Sequence, residues 1–570
     1  MTTDAPGGPR SKNPRKIALL RARHRAEARY RSYGLLSLAF STIFLAALVS
    51  NIMATAWPAF WSHWLTIDVP LKTEDIDPQN KGAQEALRSA DYMAVVRNAL
   101  DRAIPGIEGR VPRKQLREIV SGGAADDLRR LVLAEPSLVG TTVKVPLLLS
   151  DDADLFMKGI GTPIMRLQPR GVATASGTTG EITISTSAND FSSHLREVKK
   201  DLAGRAAVLL RQAGRIEARG GGADDSVAQL RDAAAQLQKR YEAPHAEEEL
   251  GADMPSVMVE INGGLVKVRT LADSAVTGDV YIPLKSTEAA PPSLWRIDTY
   301  TMPESSRAMG DRKVAFLDRL ADAGMIQKSF NWRFFTAGDS REPELAGIRG
   351  AVTGSILTLL VTLGLCLPVG VLAAIYLEEF APRNRLTDFI EININNLAAV
   401  PSIVFGLLGL AVVLNFFGLP RSAPLVGGLV LALLVLPTII ISARAALRAV
   451  PPSIREAALG IGASKQQAIF HHVLPLATPG IMTGSIIGMA HALGETAPLL
   501  MIGMVAFIVD VPKSLTEPAT VLPVQIYLWS DLPEVAFKYK TAAAIVVLLM
   551  ILFLMNGAAI WLRRRFERRW

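Results

Sequence analysis

Long apolar runs alternate with charged stretches along this chain, and the runs are long enough to be membrane helices. A bilayer core about 30 Å thick requires about 20 mostly apolar helical residues. Six runs meet this requirement, at residues 34–56, 348–376, 394–417, 424–447, 479–508 and 541–562. The pattern therefore predicts an all-α polytopic membrane protein with about six transmembrane helices.

The charges that flank the apolar runs predict the orientation of the chain. A basic tail, residues 1–33, precedes the first run and holds nine Lys and Arg within residues 10–31; five Arg lie within residues 563–569, after the last run. Lys and Arg concentrate on the cytoplasmic flanks of membrane spans, and an even number of spans places both termini on one side. We therefore predict two cytoplasmic termini. The run at 34–56 is too long for a signal peptide, which predicts an uncleaved anchor.

The stretch at 57–347 has no apolar run of spanning length and mixes two periodicities. Residues 191–249 place apolar side chains at helical spacing around Gly220-Gly221-Gly222, which predicts a helical hairpin with a glycine turn. Residues 257–268 alternate around Asn262-Gly263-Gly264, which predicts a β-hairpin. We expect an α+β domain, inserted between the first two helices and lying outside the cytoplasm. It shows no metal-ligand spacing and no nucleophile motif, so we expect a structural or docking role.

Composition narrows the class of protein further. Charged residues make up 20% of the chain and the mean hydropathy is +0.26, which fits a membrane protein with a large water-exposed part. The net charge of +8 arises largely in the two basic flanks, so no nucleic-acid partner is predicted. Cys366 is the only cysteine, which excludes an intrachain disulfide.

A short motif stands in the predicted cytoplasmic loop, residues 443–478. Its residues are Arg455, Glu456, Ala457, Ala458 and, four positions later, Gly462, with Leu474-Pro475 about a dozen residues further on. A short helix that ends in small residues, followed by a glycine able to adopt positive φ, forms a compact knob that fits a groove on a partner. The alternative is an ordinary amphipathic surface helix.

The fifth run carries a stripe of small and ionisable residues. At 100° per residue, its members fall within about 80° of one another on a helix; they are Gly480, Gly484, Gly488, His491 and Glu495. Glycines four apart allow close helix packing. An ionisable group inside a bilayer is costly and normally faces the bundle interior or a water-filled path. We expect Glu495, with His491 and the adjacent Thr496, to line a translocation path; the alternative for Glu495 is a structural polar clamp.

These motifs resemble those of one family. The loop motif is similar to the EAA loop of type I ABC importers. The strings Ala492-Leu493-Gly494-Glu495-Thr496-Ala497-Pro498-Leu499-Leu500, Tyr376-Leu377-Glu378-Glu379-Phe380-Ala381-Pro382 and Asn395-Asn396-Leu397-Ala398-Ala399-Val400-Pro401-Ser402-Ile403-Val404-Phe405-Gly406 resemble the PstA-type permeases of phosphate importers. The family usually has Arg where this chain has His491. Pro401 and Gly406 can distort their helix and expose backbone groups to a cavity.

The resemblance covers about residues 348–570 and implies a permease domain of five spans in a bacterial inner membrane. It implies transport of inorganic phosphate, with the EAA loop docking on the ATPase. No Walker A pattern occurs, so the chain is not expected to bind ATP phosphates by that route, and a PstB-like ATPase dimer is expected to hydrolyse MgATP. We expect the chain itself to be no enzyme and to bind no cofactor or metal. A PstC-like permease subunit and a PstS-like binding protein complete the expected partners. Two alternatives stay open: a permease for sulfate or molybdate, and an envelope sensor or docking protein on a permease scaffold.

Overall fold

The structure is a computed structural model that describes residues 14–77, 84–161, 163–218, 225–505 and 507–566. Its contacts divide the chain into two compact units. One unit is Trp61–Gly347, called the outer domain below; the other, the membrane unit, joins Met1–Phe60 to Ile348–Trp570. Helix α1 covers Pro14–Ala56 and a 3-10 turn follows at Trp57–Phe60. The tail predicted at residues 1–33 is therefore helical from Pro14 onward.

The outer domain is part sheet and part helix. Its strands are β1 Trp61–Pro70, β2 Thr142–Leu148, β3 Ile164–Leu167, β4 Ala173–Ala175, β5 Glu181–Thr186, β6 Glu248–Glu249, β7 Pro255–Ile261, β8 Gly264–Leu271, β9 Ala275–Ile282, β10 Trp295–Pro303 and β11 Ile326–Phe330. They form a three-stranded antiparallel sheet in the order β11-β1-β2 and an antiparallel sheet in the order β3-β10-β7-β8-β9-β5-β4, with β6 paired to β8.

Helices cover both sheets and give the outer domain two hydrophobic cores. They are α2 Thr73–Ile76, α3 Gln84–Ser89, α4 Tyr92–Ala103, α5 Arg110–Arg117, α6 Ala124–Ala134, α7 Asp151–Met157, α8 Ser192–Ala218, α9 Asp225–Tyr241, α10 Asp311–Asp322 and α11 Trp332–Thr336, with 3-10 turns at Pro136–Leu138 and Glu304–Ser306. One core joins β1 and β2 to α4, α6 and α10 through side chains such as Leu65, Leu100 and Phe316. The other packs α8 on the larger sheet, with Leu195 and Trp295 at its centre.

The predicted β-hairpin is confirmed. Strands β7 and β8 pair up to Ile261 opposite Gly264, so the connecting loop is Asn262-Gly263. Both loop residues have positive φ, 49° and 71°, as a two-residue hairpin turn requires and as this dipeptide favours. The predicted helical hairpin corresponds to α8 and α9, which pack together. Its turn, Gly220-Gly221-Gly222, lies outside the described residues.

A buried charge cluster ties the start of α10 to the larger sheet. The Asp311 side chain is fully buried; its Oδ2 lies 2.5 Å from Lys267 Nζ of β8 and accepts a 2.8 Å hydrogen bond from Ser256 Oγ of β7. Arg307 pairs with the other carboxylate oxygen. Burial alone would raise the pKa of Asp311, but the hydrogen bond from Lys267 and the charges of Lys267 and Arg307 lower this pKa below its ordinary value.

We expect Asp311→Asn to lower the free energy of unfolding of the outer domain by about 3–5 kcal/mol, because buried Arg307 would lose its carboxylate partner and Lys267 would keep only Glu304. A depressed carboxyl pKa contributes stability above the unfolded pKa and loses it as the pH falls through the folded pKa, so the contribution is complete at neutral pH. Thermal unfolding of the full chain in detergent, followed by tryptophan fluorescence, measures the change.

The matched control is Asp279→Asn, which breaks the surface pair between Asp279 and Arg269. Exposed pairs contribute about 0–1 kcal/mol, so this variant should unfold close to the wild type. Equal melting temperatures for the two variants would contradict a stabilising role for the cluster at Asp311.

The membrane unit consists of long apolar helices joined by short elements. Besides α1 they are α12 Arg349–Ile375, α13 Arg385–Ala398, α14 Ser402–Leu408, α15 Pro424–Arg448, α16 Pro452–Gly460, α17 Lys465–Ala468, α18 Leu474–Gly494, α19 Ala497–Met501, α20 Leu522–Ser530 and α21 Val535–Phe566, with π-helical turns at Tyr376–Phe380, Gly409–Phe416 and Ile469–Val473. Among the described residues, five helices could cross a membrane by length and composition, and a bent pair would make a sixth.

The third predicted span, residues 394–417, is wrong as a single helix. In the structure Arg385–Ala398 and Ser402–Phe416 are separate helices with a 103° bend between them. Pro401 stands at the start of the second helix, where it lacks an N–H group and disfavours helical backbone at the residue before it. The apolar run continues across a break that hydropathy alone does not reveal.

The fifth predicted span, residues 479–508, is also displaced. The apolar helix covers Lys465–Gly494, so Leu474-Pro475 and much of the predicted loop 443–478 are helical. Ser464 and Gln467 form a capping box that begins this helix early. At the other end the backbone is extended at Glu495, where α18 ends.

Candidate functional site

The predicted loop motif folds as a short helix with a sharp turn, here called the knob, residues 452–463. Proline at its first position starts α16. Gly462 has a φ of 91°, its N–H donates to Leu459 O, and the Ala463 N–H donates to Ala458 O. These two bonds form a Schellman motif, which requires the left-handed conformation that glycine adopts most readily. The glycine therefore ends the helix and reverses the chain toward Ser464.

The knob presents one acidic and several apolar groups to its surroundings. Glu456 and Ala457 are exposed, whereas Ala458 is buried against the rest of the unit. Ile461 at the tip is 84% exposed and Leu459 is 49% exposed. The tip of the knob is therefore both apolar and exposed.

Arg455 belongs to the motif that was predicted to contact a partner, but its side chain points inward and pairs with Glu379. Its Nη2 lies 2.5 Å from Glu379 Oε1, and its Nε donates to the same carboxylate at 3.0 Å. The guanidinium also donates to Leu447 O at 2.8 Å and to Val450 O at 2.7 Å. One side chain thus links the knob, the carbonyl groups at the end of α15, and the π-helical turn that follows α12.

A second set of ion pairs continues this link between the helices. Arg444 Nη2 of α15 lies 2.5 Å from Glu391 Oε1 of α13, and Arg444 Nε lies 3.5 Å from Glu378 Oε2. Arg448 Nε donates to Glu378 at 2.8 Å. Sequence reasoning gave these four residues no role, although ionisable side chains at the edge of apolar runs were the signal that could have found them.

The three glycines of the stripe lie where α18 crosses α15. A Cβ built on Gly480 would stand 2.6 Å from Ala446 Cβ, one on Gly484 would stand 1.9 Å from Ser442 Oγ, and one on Gly488 would stand 2.6 Å from Val435 Cγ1. No side chain fits these positions without displacing the neighbouring helix. The glycines therefore allow the closest contacts between the two helices.

His491 and Glu495 form a pair at the end of α18. His491 Nε2 lies 2.6 Å from Glu495 Oε1; the His491 side chain is 59% exposed and that of Glu495 is 18% exposed. Thr496 follows at the start of α19, and its carbonyl accepts hydrogen bonds from the N–H groups of Leu499 and Leu500. The pair is thus held at a break between two helices rather than along a continuous one.

Gly406 allows the bent helix pair to pack close to the break at Glu495 and Thr496. A Cβ on Gly406 would stand 2.7 Å from Pro498 Cα and 3.0 Å from Pro498 O. The helix that Pro401 begins therefore packs directly on α19, which follows Glu495 and Thr496 in the chain. The knob precedes the first residue of α18 in the chain. The 21 residues of α18 correspond to a helix length of about 30 Å.

Metal ligation was not expected from the sequence. Within the ranges that the structure describes, no three His, Cys, Asp or Glu side chains are grouped so that they could hold a metal ion.

Two family models match the chain. Residues 366–570 match the family described as the inner membrane component of binding-protein-dependent transport systems. Residues 18–165 match a domain of unknown function, DUF3333, whose match ends inside the outer domain. The first match contains the knob, the glycine stripe and the pair of His491 with Glu495.

Several known proteins are similar in sequence to part of this chain. The probable ABC transporter permease protein YqgI of Bacillus subtilis is 31% identical over 254 residues, 42% of this chain and 84% of YqgI. The phosphate transport system permease protein PstA 1 of Mycobacterium tuberculosis H37Rv is 30% identical over 244 residues, 43% of this chain and 78% of PstA 1.

A solved structure of the inward-facing MetNI methionine ABC transporter aligns with 39% of this chain and 96% of its own, at 19% identity and a TM-score of 0.31. The sequence relatives are matched over more than two thirds of their own length at 30% identity or above. On these matches the chain belongs to the PstA-type family of ABC transporter permeases.

Proposed function

We propose that this chain is the membrane subunit that carries inorganic phosphate into the cytoplasm, as one half of a translocation path. The observation that carries the proposal is the similarity to relatives named as phosphate transport permeases. The matched family model contains both the knob and the pair of His491 with Glu495. The chain would serve as a transporter subunit rather than as an enzyme.

The knob would be the contact with the ATPase. Its exposed Ile461 and Leu459 offer an apolar tip, and Glu456 offers a negative charge beside it. Movement of the knob would pass through Arg455 to Glu379 and so to the helices that cross the membrane. The ATPase, a PstB-like dimer, would hydrolyse MgATP, because this chain has no Walker A pattern.

The pair of His491 with Glu495 would face the phosphate path. Glu495 fixes one ring nitrogen of His491, and the rest of the exposed ring stays available to an anion. The family usually has Arg here, which is a permanent cation, whereas a histidine carries positive charge only when it is protonated. The break at Glu495 and Thr496, beside Gly406, would provide polar backbone groups in the path.

We further propose that both termini are cytoplasmic and that the outer domain lies outside the cytoplasm. The basic flanks of α1 and α21 support this orientation. A PstC-like permease would supply the other half of the path, and a PstS-like binding protein would deliver phosphate from the outer side.

We expect His491→Arg to retain phosphate transport, because an arginine keeps a hydrogen-bond donor within reach of Glu495 and is the residue that the family usually has here. Glu495→Gln should impair transport, because it removes the carboxylate that contacts His491. Initial rates of labelled phosphate uptake in cells that express each variant measure both effects. Glu517→Gln, an exposed carboxylate of the same unit, is the control. Uptake at the wild-type rate in Glu495→Gln would remove Glu495 from the mechanism.

The test of the function compares cells that lack this chain with cells complemented by the wild type or by Glu456→Lys. We expect phosphate uptake to fail in both the deletion strain and the Glu456→Lys strain, with sulfate uptake unchanged in all strains. Failure of sulfate or molybdate uptake instead would favour a permease for another oxyanion. Unchanged uptake in every strain, with a signalling defect after deletion of the outer domain, would favour the envelope sensor.

A further inference from the structure

One end of the three-stranded sheet in the outer domain lies next to the membrane in the chain path. Trp61, the first residue of β1, directly follows Phe60, the last residue of the first candidate span. Trp61 pairs with Phe330, the last residue of β11, and the chain reaches the next candidate span at Arg349. Trp61 and Phe330 are therefore neighbours at one end of this sheet, and one peptide bond joins Trp61 to the first candidate span.

Aromatic side chains cluster at this end. The Trp61 and Phe330 rings lie edge to face at a centroid distance of 5.9 Å, and Phe330 contacts Trp332 at 4.9 Å and Phe335 at 5.9 Å. Phe334 is fully buried and contacts Phe335 at 5.0 Å, which anchors the cluster to the domain. We call Trp61, Phe330, Trp332 and Phe335 the aromatic platform.

Two rings of the platform are exposed, although a protein in water normally buries rings of this size. The Trp332 side chain is 69% exposed and Phe330 is 37% exposed. The Trp332 ring contacts the Phe330 ring, and most of the Trp332 surface stays uncovered. A preformed, exposed group of large aromatic rings indicates a surface that contacts another phase or partner.

Cations accompany the rings. Lys328 Nζ of β11 lies 4.8 Å from the centroid of the Trp61 ring, and the Lys328 residue is exposed. Arg333 of α11 lies 5.8 Å from the Trp64 ring and pairs with Asp127 at 2.6 Å. Exposed tryptophan beside lysine is the combination that favours the headgroup layer of a bilayer, where the ring is partly dehydrated and the ammonium meets phosphate groups.

We propose that the aromatic platform rests in the lipid headgroup layer and seats the outer domain on the bilayer surface. The short chain path from Phe60 to Trp61 keeps this end of the sheet close to the membrane, and the exposed rings and Lys328 match the chemistry of lipid headgroups. The occupant is the lipid itself, and a second membrane subunit is the competing outcome.

The test measures what surrounds residue 332 in the full chain. Trp332→Cys is prepared with Cys366→Ala, which removes the only native cysteine, and is spin-labelled and reconstituted in vesicles of phosphatidylethanolamine and phosphatidylglycerol. Power-saturation spectroscopy compares collisions of the label with oxygen, which concentrates in lipid, and with a water-soluble nickel chelate. The matched control is Leu294→Cys, a 66% exposed position beside the larger sheet of the same domain.

We expect the ratio of oxygen to nickel collisions to be several-fold higher at position 332 than at position 294. Equal ratios at the two positions would overturn the proposal, because both labels would then be in water. Low collision rates with both reagents at position 332 would also overturn it, since the site would then be covered by protein. The experiment measures collisions of the spin label and not transport, so either result is independent of which substrate the chain carries.

Discussion

Replacing Arg455 with glutamine is expected to reduce phosphate uptake by about tenfold or more while the chain still reaches the membrane. The Glu379 side chain is only 9% exposed, and Arg455 is its partner in the ion pair at 2.5 Å. Removing one member of a buried pair costs about 3–5 kcal/mol. The substitution also removes the donors to Leu447 O and Val450 O, so the knob loses its attachment to α15.

Two controls separate this effect from a general loss of charge. Arg448→Gln breaks the pair between Arg448 and Glu378, but the Arg448 side chain is 60% exposed, so uptake should stay near the wild-type rate. In a double-mutant cycle, Glu379→Gln combined with Arg455→Gln should be less harmful than the sum of the two single changes. Additive losses, or full uptake in Arg455→Gln with normal abundance, would contradict the role of Arg455 as a link.

Gly484→Val is expected to prevent the membrane unit from folding stably. Even a single carbon added at Gly484 would stand 1.9 Å from Ser442 Oγ and 2.2 Å from Ser442 Cβ, so α18 and α15 would be forced apart. Overpacking typically costs about 1–3 kcal/mol and occasionally more. Size-exclusion chromatography and thermal unfolding of the chain in detergent measure the effect.

The control for this prediction is Gly364→Val, because Gly364 of α12 has no other group within 4 Å of the added carbon. That variant should elute and melt close to the wild type. The compensating change Ser442→Gly, which removes both clashing atoms, should partly restore Gly484→Val. A monodisperse Gly484→Val protein with an unchanged melting temperature would show that the two helices are not in close contact.

The spans that the sequence predicted well are those in which apolarity and helix length coincide. The run at 424–447 corresponds to α15, Pro424–Arg448, and the run at 348–376 corresponds to α12, Arg349–Ile375. The runs at 394–417 and 479–508 were misplaced because apolar composition continues through a bend at Pro401 and through the helix end at Gly494. Hydropathy reports the surroundings of a segment and not the continuity of its hydrogen bonds.

Features set by neighbouring residues could be predicted from the sequence, whereas contacts between residues far apart in the chain could not. The turn at Asn262-Gly263 and the helix end at Gly462 follow from backbone preferences of a few residues. The partner of Arg455 is 76 residues away, and no sequence period connects it with Glu379. The aromatic platform likewise depends on the pairing of Trp61 with Phe330 across most of the outer domain. Such contacts are set by tertiary structure.

The proposed transport function is tested most directly in vesicles that contain only the purified importer. The chain is reconstituted with its partner permease, the ATPase and the binding protein, with MgATP supplied on the ATPase side and labelled phosphate on the side of the binding protein. We expect labelled phosphate to accumulate only when ATP is present, while labelled sulfate and molybdate do not. Accumulation of sulfate or molybdate in place of phosphate, or phosphate entry that does not depend on ATP, would contradict the proposal that this permease is the phosphate-carrying subunit of an ATP-driven importer.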